Sequence, residues 1–326
     1  MKVDYRYNEV TGDFELVEIT DASNILSINS MLASSINDIR EGQTYVGIDF
    51  GTSTTVVSIA TYNKSSKTIS VEPMRLDQLL EDGTRYQSEK LPTVIAWYKD
   101  TFLVGEGASN LKYKLRKGEN IWYSFKMEIG EDLGAKYFNS AVKNINGISI
   151  INPKDCVKVF FMYLKILITR YCQNHNFSQN INYAVSIPAS FEANQRKDLM
   201  EAIETNGMTL TKQSLIDEPN AAFISYVHES QTSEKPLAIK SDYNPKVLVF
   251  DFGGGTCDIS ILEIGKSASG LYSKNIAISK FTKLGGDDVD RYITYHYLLP
   301  RFLSKNGNKA EDFITMLTKM QEDCGV

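Results

Sequence analysis

Two copies of one short pattern constrain the fold of this chain more than any other feature of its sequence. GIDFGTSTTVVSIA begins at Gly47, and VFDFGGGTCDISIL begins at Val249. Each copy combines an apolar strand, an Asp-Phe-Gly turn with small residues, a threonine and a second apolar strand. Such a repeat indicates two similar halves, and a cleft between two halves is a common ligand site.

The segments around the two copies predict an α/β fold. From Tyr45 the chain reads as three antiparallel strands, and two further strands follow between 93 and 104. Asn152 before a proline is a capping and first-turn signal for a long amphipathic helix. The apolar strand INYAVSIP, a helix beginning at Glu192 and another beginning at Pro219 come next. This alternation of strand and helix predicts a parallel extension of the sheet.

The patterns divide the chain into three predicted parts. Residues 1–43 form an N-terminal appendage, a hairpin around a Thr-Gly-Asp turn and a helix from 23 to 40, with no readable role. Residues 44–217 form the first half, including a peripheral lobe at about 75–150, and residues 218–326 form a partial second half.

Composition excludes several classes of protein. The 326 residues carry a net charge of −5 and no basic run, which argues against nucleic-acid binding. No apolar stretch approaches the ~20 residues that a membrane helix needs, and the N-terminus lacks the pattern of a secretory signal. The four cysteines and three histidines show no metal-ligand spacing. The sequence therefore predicts a cytoplasmic protein without nucleic-acid or membrane partners.

The paired turns favour phosphate binding. Glycine at the end of a buried strand lets backbone N–H groups approach an anion. Neither turn matches the loop of P-loop NTPases or the dinucleotide fingerprint, which removes the main support for those folds. The residues that we expect to surround the phosphates are Gly51, Thr52, Ser53, Thr54, Gly253, Gly254, Gly255 and Thr256.

Asp49 and Asp251 end the strands before the two turns, so the repeat predicts that they face each other across the cleft. Two close carboxylates repel unless a cation lies between them, and Mg²⁺ is the expected cation, bound directly or through water. The alternative is that each aspartate only caps its turn.

Several segments resemble motifs of the DnaK-type heat-shock chaperones, within the superfamily of actin, sugar kinases and heat-shock ATPases. GIDFGTSTT and DFGGGTCDIS resemble the two phosphate motifs, VSIPASFEANQR and IDEPNAAFISY the two connecting motifs, and LGGDDVDRYI the later Gly-Gly-Asp stretch. LPTVIAWYKD and YSFKMEIG resemble the family's first peripheral lobe. The resemblance begins near Tyr45. It implies an actin-like ATPase fold, with two ribonuclease H-like halves whose mixed sheets flank a nucleotide cleft, the second half being incomplete.

The resemblance also implies roles for individual residues. Lys126 would contact the terminal phosphate and position the attacking water, and Glu218 would be a base or would orient that water. Asp251 would take part in catalysis, and Gly285 and Gly286 would lie near the phosphates. The implied metal-binding residues, held directly or through water, are Asp49, Asp251 and Asp258.

Two further residues match positions that the family uses to relay the nucleotide state to its peptide-binding part. They are Pro188 and Arg196. Without the resemblance, they would be a strand-ending proline and an exposed helix arginine.

The function that the resemblance implies is ATP binding and slow hydrolysis, coupled to opening and closing of the cleft in a stress-response chaperone. ATP or ADP, Mg²⁺ and K⁺ would be the cofactors. A J-domain co-chaperone, a nucleotide exchange factor and peptide clients would be partners through a longer parent chain. The sequence stops before the family's adenine-holding segments, so we expect weak nucleotide binding by these residues alone. The alternatives are an actin-like filament ATPase, a sugar or carboxylate kinase, and a nucleotide-sensing module without turnover.

Overall fold

The structure is a computed structural model, and it describes only part of the chain. The described residues are 2–7, 14–19, 41–66, 68–131, 134–137, 139–210, 214–230, 244–267, 270–279, 284–305, 309 and 311–315. The predicted N-terminal helix from 23 to 40 lies outside them.

The described residues form sixteen strands, numbered here in chain order. They are β1 Lys2–Tyr7, β2 Phe14–Ile19, β3 Thr44–Phe50, β4 Thr54–Asn63, β5 Thr68–Pro73, β6 Leu76–Leu79, β7 Arg85–Ser88, β8 Lys90–Pro92, β9 Val94–Tyr98, β10 Thr101–Val104, β11 Ile121–Tyr123, β12 Ile181–Ile187, β13 Leu215–Asp217, β14 Lys246–Phe252, β15 Cys257–Ser267 and β16 Gly270–Ile278.

Helices connect and cover these strands. The α-helices are α1 Glu106–Ser109, α2 Pro153–Asn174, α3 Ala193–Glu204, α4 Glu218–Ser230, α5 Gly286–Ile293 and α6 Leu299–Lys305. Two 3₁₀ turns span Phe125–Glu128 and Gly134–Tyr137, and a π-helical turn, Thr294–Leu298, joins α5 to α6. In the part of the chain that the structure describes, every helix is too short or too polar to cross a membrane.

The main sheet contains six strands in the order β13-β12-β3-β4-β5, with β8 paired to β4. The predicted meander is confirmed, because β3, β4 and β5 pair antiparallel. The predicted parallel extension is also confirmed, since β12 pairs parallel with both β3 and β13. Val46, Ile48 and Phe50 are buried on one face of β3, which leaves Asp49 on the other face.

A second sheet repeats the beginning of the first. Strands β14, β15 and β16 form an antiparallel meander, as the internal repeat predicts. Helix α4 packs on it, and Phe223 and Val227 form a small core with Leu262 and Ile264. Strand β16 begins at Gly270, upstream of the segment recognised in the sequence, because the long strand β15 continues the pairing to Ser267. The mixed α/β architecture agrees with the predicted fold class.

The remaining described strands form three smaller sheets. Strands β9 and β10 fall within the region predicted for them, and β11 joins β9 on its other side. Strands β6 and β7 form a separate pair. The N-terminal hairpin is confirmed as the antiparallel pair β1 and β2, although its predicted turn lies outside the described residues.

Four aromatic rings form the centre of the main core. Phe50 of β3 lies 5.1 Å from Phe161, 5.8 Å from Phe160 and 6.3 Å from Phe125, measured between ring centroids. All four rings are fully buried. Helix α2 supplies two of them, and Asn152 caps this helix by accepting a 2.8 Å hydrogen bond from the Asp155 amide. The predicted cap is therefore confirmed.

We predict that Phe160→Ala lowers the free energy of unfolding by about 3–5 kcal/mol, because the ring is fully buried and its removal leaves a cavity. Urea unfolding measures this change. Ile166→Ala on the same helix is the control, and since Ile166 is 49% exposed we expect a change within about 0.5 kcal/mol. Equal small losses for both variants would contradict this view of the core.

Candidate functional site

Three glycine-containing turns meet at one place in the structure. A Cβ atom added at Gly254 would lie 2.2 Å from Ser53 Oγ, and one at Gly255 would lie 2.8 Å from Thr52 Cγ2. A Cβ atom at Gly285 would lie 2.5 Å from the Gly254 carbonyl carbon. All three distances are below contact distance, so larger residues cannot occupy these positions without displacement. The structure therefore brings the two repeated turns and the Gly-Gly-Asp stretch together.

Backbone hydrogen bonds join the second and third turns. The Gly286 amide donates to the Gly253 carbonyl at 2.9 Å, and the Asp287 amide donates to the Gly254 carbonyl at 2.9 Å. The second turn is itself closed by a 2.9 Å bond from the Gly253 amide to the Thr256 carbonyl. The beginning of α5 is thus fixed against the second turn.

Thr93 stabilises the first turn through two hydrogen bonds. Its hydroxyl donates to the Gly51 carbonyl at 2.8 Å, and its amide donates to the Ser53 carbonyl at 2.9 Å. A Cβ atom at Gly51 would lie 2.1 Å from the Thr54 carbonyl oxygen, so the turn requires glycine there. Thr52 is buried, which leaves Ser53 as the exposed side chain of this turn. Thr54 and Thr256 are half-buried.

Lys126 and Glu218 form a buried ion pair. Lys126 Nζ lies 2.7 Å from Glu218 Oε1, with side-chain exposures of 4% and 13%. Lys126 belongs to the first 3₁₀ turn, and Glu218 is the first residue of α4, so the pair joins distant parts of the chain. Lys126 Nζ also lies 5.7 Å from the centroid of the Phe50 ring, within reach of a cation–π interaction.

Burial raises the pKa of Glu218, and the nearby charge of Lys126 partly opposes this increase. The negative charges of Asp49 and Asp251 raise the same pKa further. The protonated form of the Glu218 carboxyl is therefore favoured more than in water.

The aspartates of the two repeated turns lie within electrostatic reach of each other. Asp251 remains exposed to solvent on one side, yet the surrounding protein excludes enough water to raise its pKa, and the charges of Asp258 and Asp49 raise it further. Asp49 accepts a 2.8 Å hydrogen bond from Ser186 Oγ. Asp258 is only 3% exposed and accepts a 2.7 Å hydrogen bond from Ser190 Oγ.

A cleft of about 420 Å³ lies beside several of these carboxylates. Its lining includes Asp49, Glu218, Asp251 and Ser186. Carboxylate oxygens suit a hard cation such as Mg²⁺. Within the described residues, however, no three His, Cys, Asp or Glu side chains are grouped closely enough to hold a metal directly.

Ser186, Ser190 and Thr93 are site residues that our sequence analysis did not single out. Ser186 could have been found from the parallel pairing of β12 with β3, because this register places it beside Asp49. Ser190 lies in the loop after β12, and Thr93 lies between β8 and β9. Neither residue belongs to the repeated turn pattern, so the repeat does not point to them.

Arg196 is only partly exposed, and it makes more contacts than an exposed helix arginine would. Its Nη2 lies 2.8 Å from Asp217 Oδ1, and its Nε donates to the Phe191 carbonyl at 3.0 Å. Its Nη2 also lies 3.5 Å from the Pro188 carbonyl oxygen. The other oxygen of Asp217, Oδ2, accepts a 2.8 Å hydrogen bond from Asn275 of β16. The structure thus joins Arg196, Asp217 and Asn275 directly beside Glu218.

The repeated meanders, the three glycine turns and the carboxylates around one cleft define a nucleotide-binding domain with an actin-like ATPase fold. The family model described as "Hsp70 protein" matches residues 45–325, and the chain belongs to the Hsp70 family.

Relatives with described functions support this assignment. The chain is 29% identical over 289 residues to "Chaperone protein dnaK" of Trieres chinensis. This match covers 85% of this chain and 42% of that relative. It is 28% identical to "Chaperone protein DnaK" of Thermoplasma volcanium, covering 80% of this chain and 36% of the relative. "Chaperone protein DnaK" of Nitrosopumilus maritimus is 26% identical, with 85% of this chain and 37% of the relative covered. The chain thus spans about two fifths of the length of these relatives.

We predict that Asp251→Asn stabilises the empty protein at pH 7. Because the folded-state pKa of Asp251 is raised, ionisation of its carboxylate costs stability above that pKa. The cost disappears as pH falls through the raised pKa toward the ordinary value of 3.8, so the advantage of the variant shrinks in the same range. Urea unfolding between pH 7 and pH 4, without divalent ions, measures this difference.

Asp82→Asn is the control for Asp251→Asn. The side chain and amide of Thr84 donate hydrogen bonds that lower the pKa of Asp82, so its ionised form stabilises the fold at neutral pH and loses this effect as pH falls. The control should therefore change stability in the opposite direction. A pH-independent loss of stability in Asp251→Asn would instead identify Asp251 as a turn cap.

Proposed function

We propose that this chain binds ATP or ADP in the cleft and hydrolyses ATP slowly. The observation that carries the proposal is the buried pair of Lys126 and Glu218, which lies among carboxylates beside three converging glycine turns. Membership of the Hsp70 family favours this function over an actin-like filament, a sugar or carboxylate kinase, or a nucleotide sensor without turnover.

In this proposal, Lys126 and Glu218 act on the terminal phosphate. A phosphate oxygen would attract the Lys126 ammonium away from Glu218, since both partners compete for one buried cation. The released Glu218 carboxylate would then orient or deprotonate the attacking water. Phosphoryl transfer depends mainly on positioning and charge neutralisation, so this small set of groups suits a slow ATPase.

Backbone groups would hold the remaining phosphates. The turns 51–54, 253–256 and 285–286 lie against one another, and the amides of Gly51, Gly253 and Gly286 already donate to backbone carbonyls, so other amides of these turns would bind the phosphate oxygens. Thr52 would contribute mainly through its backbone, because its side chain is buried. Ser53 and Thr256 are the side chains of these turns that remain accessible.

Mg²⁺ would neutralise the phosphates and orient them when it is bound. Asp49 and Asp251 would hold its water molecules, and Asp258 would act from further away because it is buried and does not line the cleft. K⁺ is proposed as a second cation at the same group of carboxylates.

We infer a cellular role by comparison with the family. We place the protein in the cytoplasm, in the stress response, with nucleotide state coupled to opening and closing of the cleft. Pro188 and Arg196 would carry this change, since Arg196 contacts the strand that precedes Glu218. A J-domain co-chaperone, an exchange factor and peptide clients would be partners of a longer polypeptide that contains this chain.

The first test is nucleotide binding. ATP or ADP with Mg²⁺ should raise the melting temperature, because a ligand at one hundred times its Kd adds about 2.7 kcal/mol of stability. Adenosine without phosphates should have a smaller effect, and removal of Mg²⁺ with a chelator should reverse the shift. The lack of any shift at millimolar nucleotide, in this chain and in any longer natural polypeptide that contains it, would refute the proposal.

The second test separates chemistry from binding. Lys126→Met and Glu218→Gln should reduce the rate of ATP hydrolysis by about 10²- to 10⁴-fold while changing the nucleotide Kd less than about tenfold. The control is Lys158→Ala, an exposed lysine on α2, which should leave both quantities unchanged. Loss of nucleotide binding with unchanged turnover would reverse the roles that we assign.

A further inference from the structure

A second buried ionic cluster lies behind Lys126, outside the cleft. Glu128 is 7% exposed, and its Oε2 accepts a 2.9 Å hydrogen bond from the Tyr137 hydroxyl. Its Oε1 forms an ion pair with Lys136 and lies 3.9 Å from Lys117 Nζ. None of these groups belongs to the proposed reaction.

The geometry of this cluster compensates the buried charge of Glu128. A buried carboxylate is costly unless it is paired and hydrogen-bonded, and both oxygens of Glu128 have partners. Tyr137 also accepts a long contact of 3.9 Å from Cys156 Sγ of α2. Burial is the main cause of a strongly raised pKa at Tyr137, so its hydroxyl stays protonated and remains a hydrogen-bond donor to Glu128.

Glu128 and Lys126 share one short 3₁₀ turn, Phe125–Glu128. The turn is fixed at three points. Phe125 packs into the aromatic core, Glu128 is held by the ionic cluster, and the next residue, Ile129, accepts a 3.2 Å hydrogen bond from Gln195 Nε2 of α3. A single turn with so few hydrogen bonds of its own depends on such outside contacts.

The position of the turn determines the position of the Lys126 ammonium. Lys126 is 3% exposed, and its Nζ meets Glu218 at 2.7 Å. A displacement of about 1 Å at a reacting group can reduce a rate about 10²-fold, whereas ligand binding that depends on other contacts changes less. Contacts that fix the turn should therefore affect turnover more than affinity.

We propose that Glu128 is a positioning residue for Lys126, and that its ion pair with Lys136 holds the 3₁₀ turn that carries Lys126 in place beside the cleft. This inference rests on the proposed ATPase function. It assigns no contact between Glu128 and nucleotide.

The test uses Glu128→Gln, which keeps an acceptor for Tyr137 but removes the charge that holds Lys136. We expect turnover to fall at least about tenfold while the nucleotide Kd changes less than about threefold. The rate at which an amine-reactive acylating reagent modifies Lys126, measured by peptide mass spectrometry without nucleotide, should rise. This labelling reports the position of Lys126 independently of ATP hydrolysis.

Two variants serve as controls. Glu119→Gln removes a glutamate that pairs with Arg116 at 3.5 Å and has 35% side-chain exposure, and it should leave turnover and labelling unchanged. Glu128→Gln combined with Lys136→Gln replaces the ion pair by a neutral hydrogen-bonded pair, and it should restore both values at least in part. These results would support the positioning role.

Other results would overturn it. If Glu128→Gln lowers the melting temperature but leaves turnover and Lys126 labelling unchanged, the cluster only stabilises the fold. Absence of ATP hydrolysis by the unsubstituted protein would refute the proposed function instead, whereas unchanged hydrolysis in Lys126→Met would refute the role of Lys126 in it. Increased labelling in Glu128→Gln would still show in that case that Glu128 holds the turn.

Discussion

The packing of Phe50 is the interaction on which the rest of the site depends. Neighbouring residues of a strand point to opposite faces, so the burial of Phe50 directs Asp49 toward the cleft. Phe125 packs against the same ring and precedes Lys126. Phe160 and Phe161 of α2 also pack against the Phe50 ring, so they join these two segments to α2. Aromatic pairs contribute about 0.5–1.5 kcal/mol each beyond their buried area, so one apolar cluster fixes two charged groups that are distant in sequence.

The charged groups are arranged so that each buried charge has a partner. Lys126 pairs with Glu218, Glu128 pairs with Lys136, and Asp258 accepts from Ser190. Asp49 and Asp251 lie near Glu218, and the pKa of Asp251 is raised by burial first and then by the charges of Asp258 and Asp49. The side chains of the cleft therefore carry an excess of negative charge that a cation would relieve.

Much of the fold could be predicted because the sequence repeats itself. The Asp-Phe-Gly pattern predicted both meanders, and the capping signal at Asn152 predicted the beginning of α2. The repeat also predicted that the two turns face a common cleft. Contacts between unrelated segments could not be predicted in this way, because neither periodicity nor turn chemistry encodes them. The roles of Lys126 and Glu218 came only from the family resemblance, and their ion pair and the bonds of Thr93 and Asn275 came only from the structure.

The carboxylate of Asp217 has a mechanical consequence. One of its oxygens binds Arg196 of α3, the helix between β12 and β13 of the main sheet, and the other binds Asn275 of β16 in the second sheet. A rotation that separates the two sheets must stretch one of these bonds, or it must carry the end of β13 along with one sheet. Because Glu218 is the next residue, any such movement would also shift the carboxylate that faces Lys126. The angle between the sheets and the geometry of the Lys126 pair are thus linked through a single peptide unit.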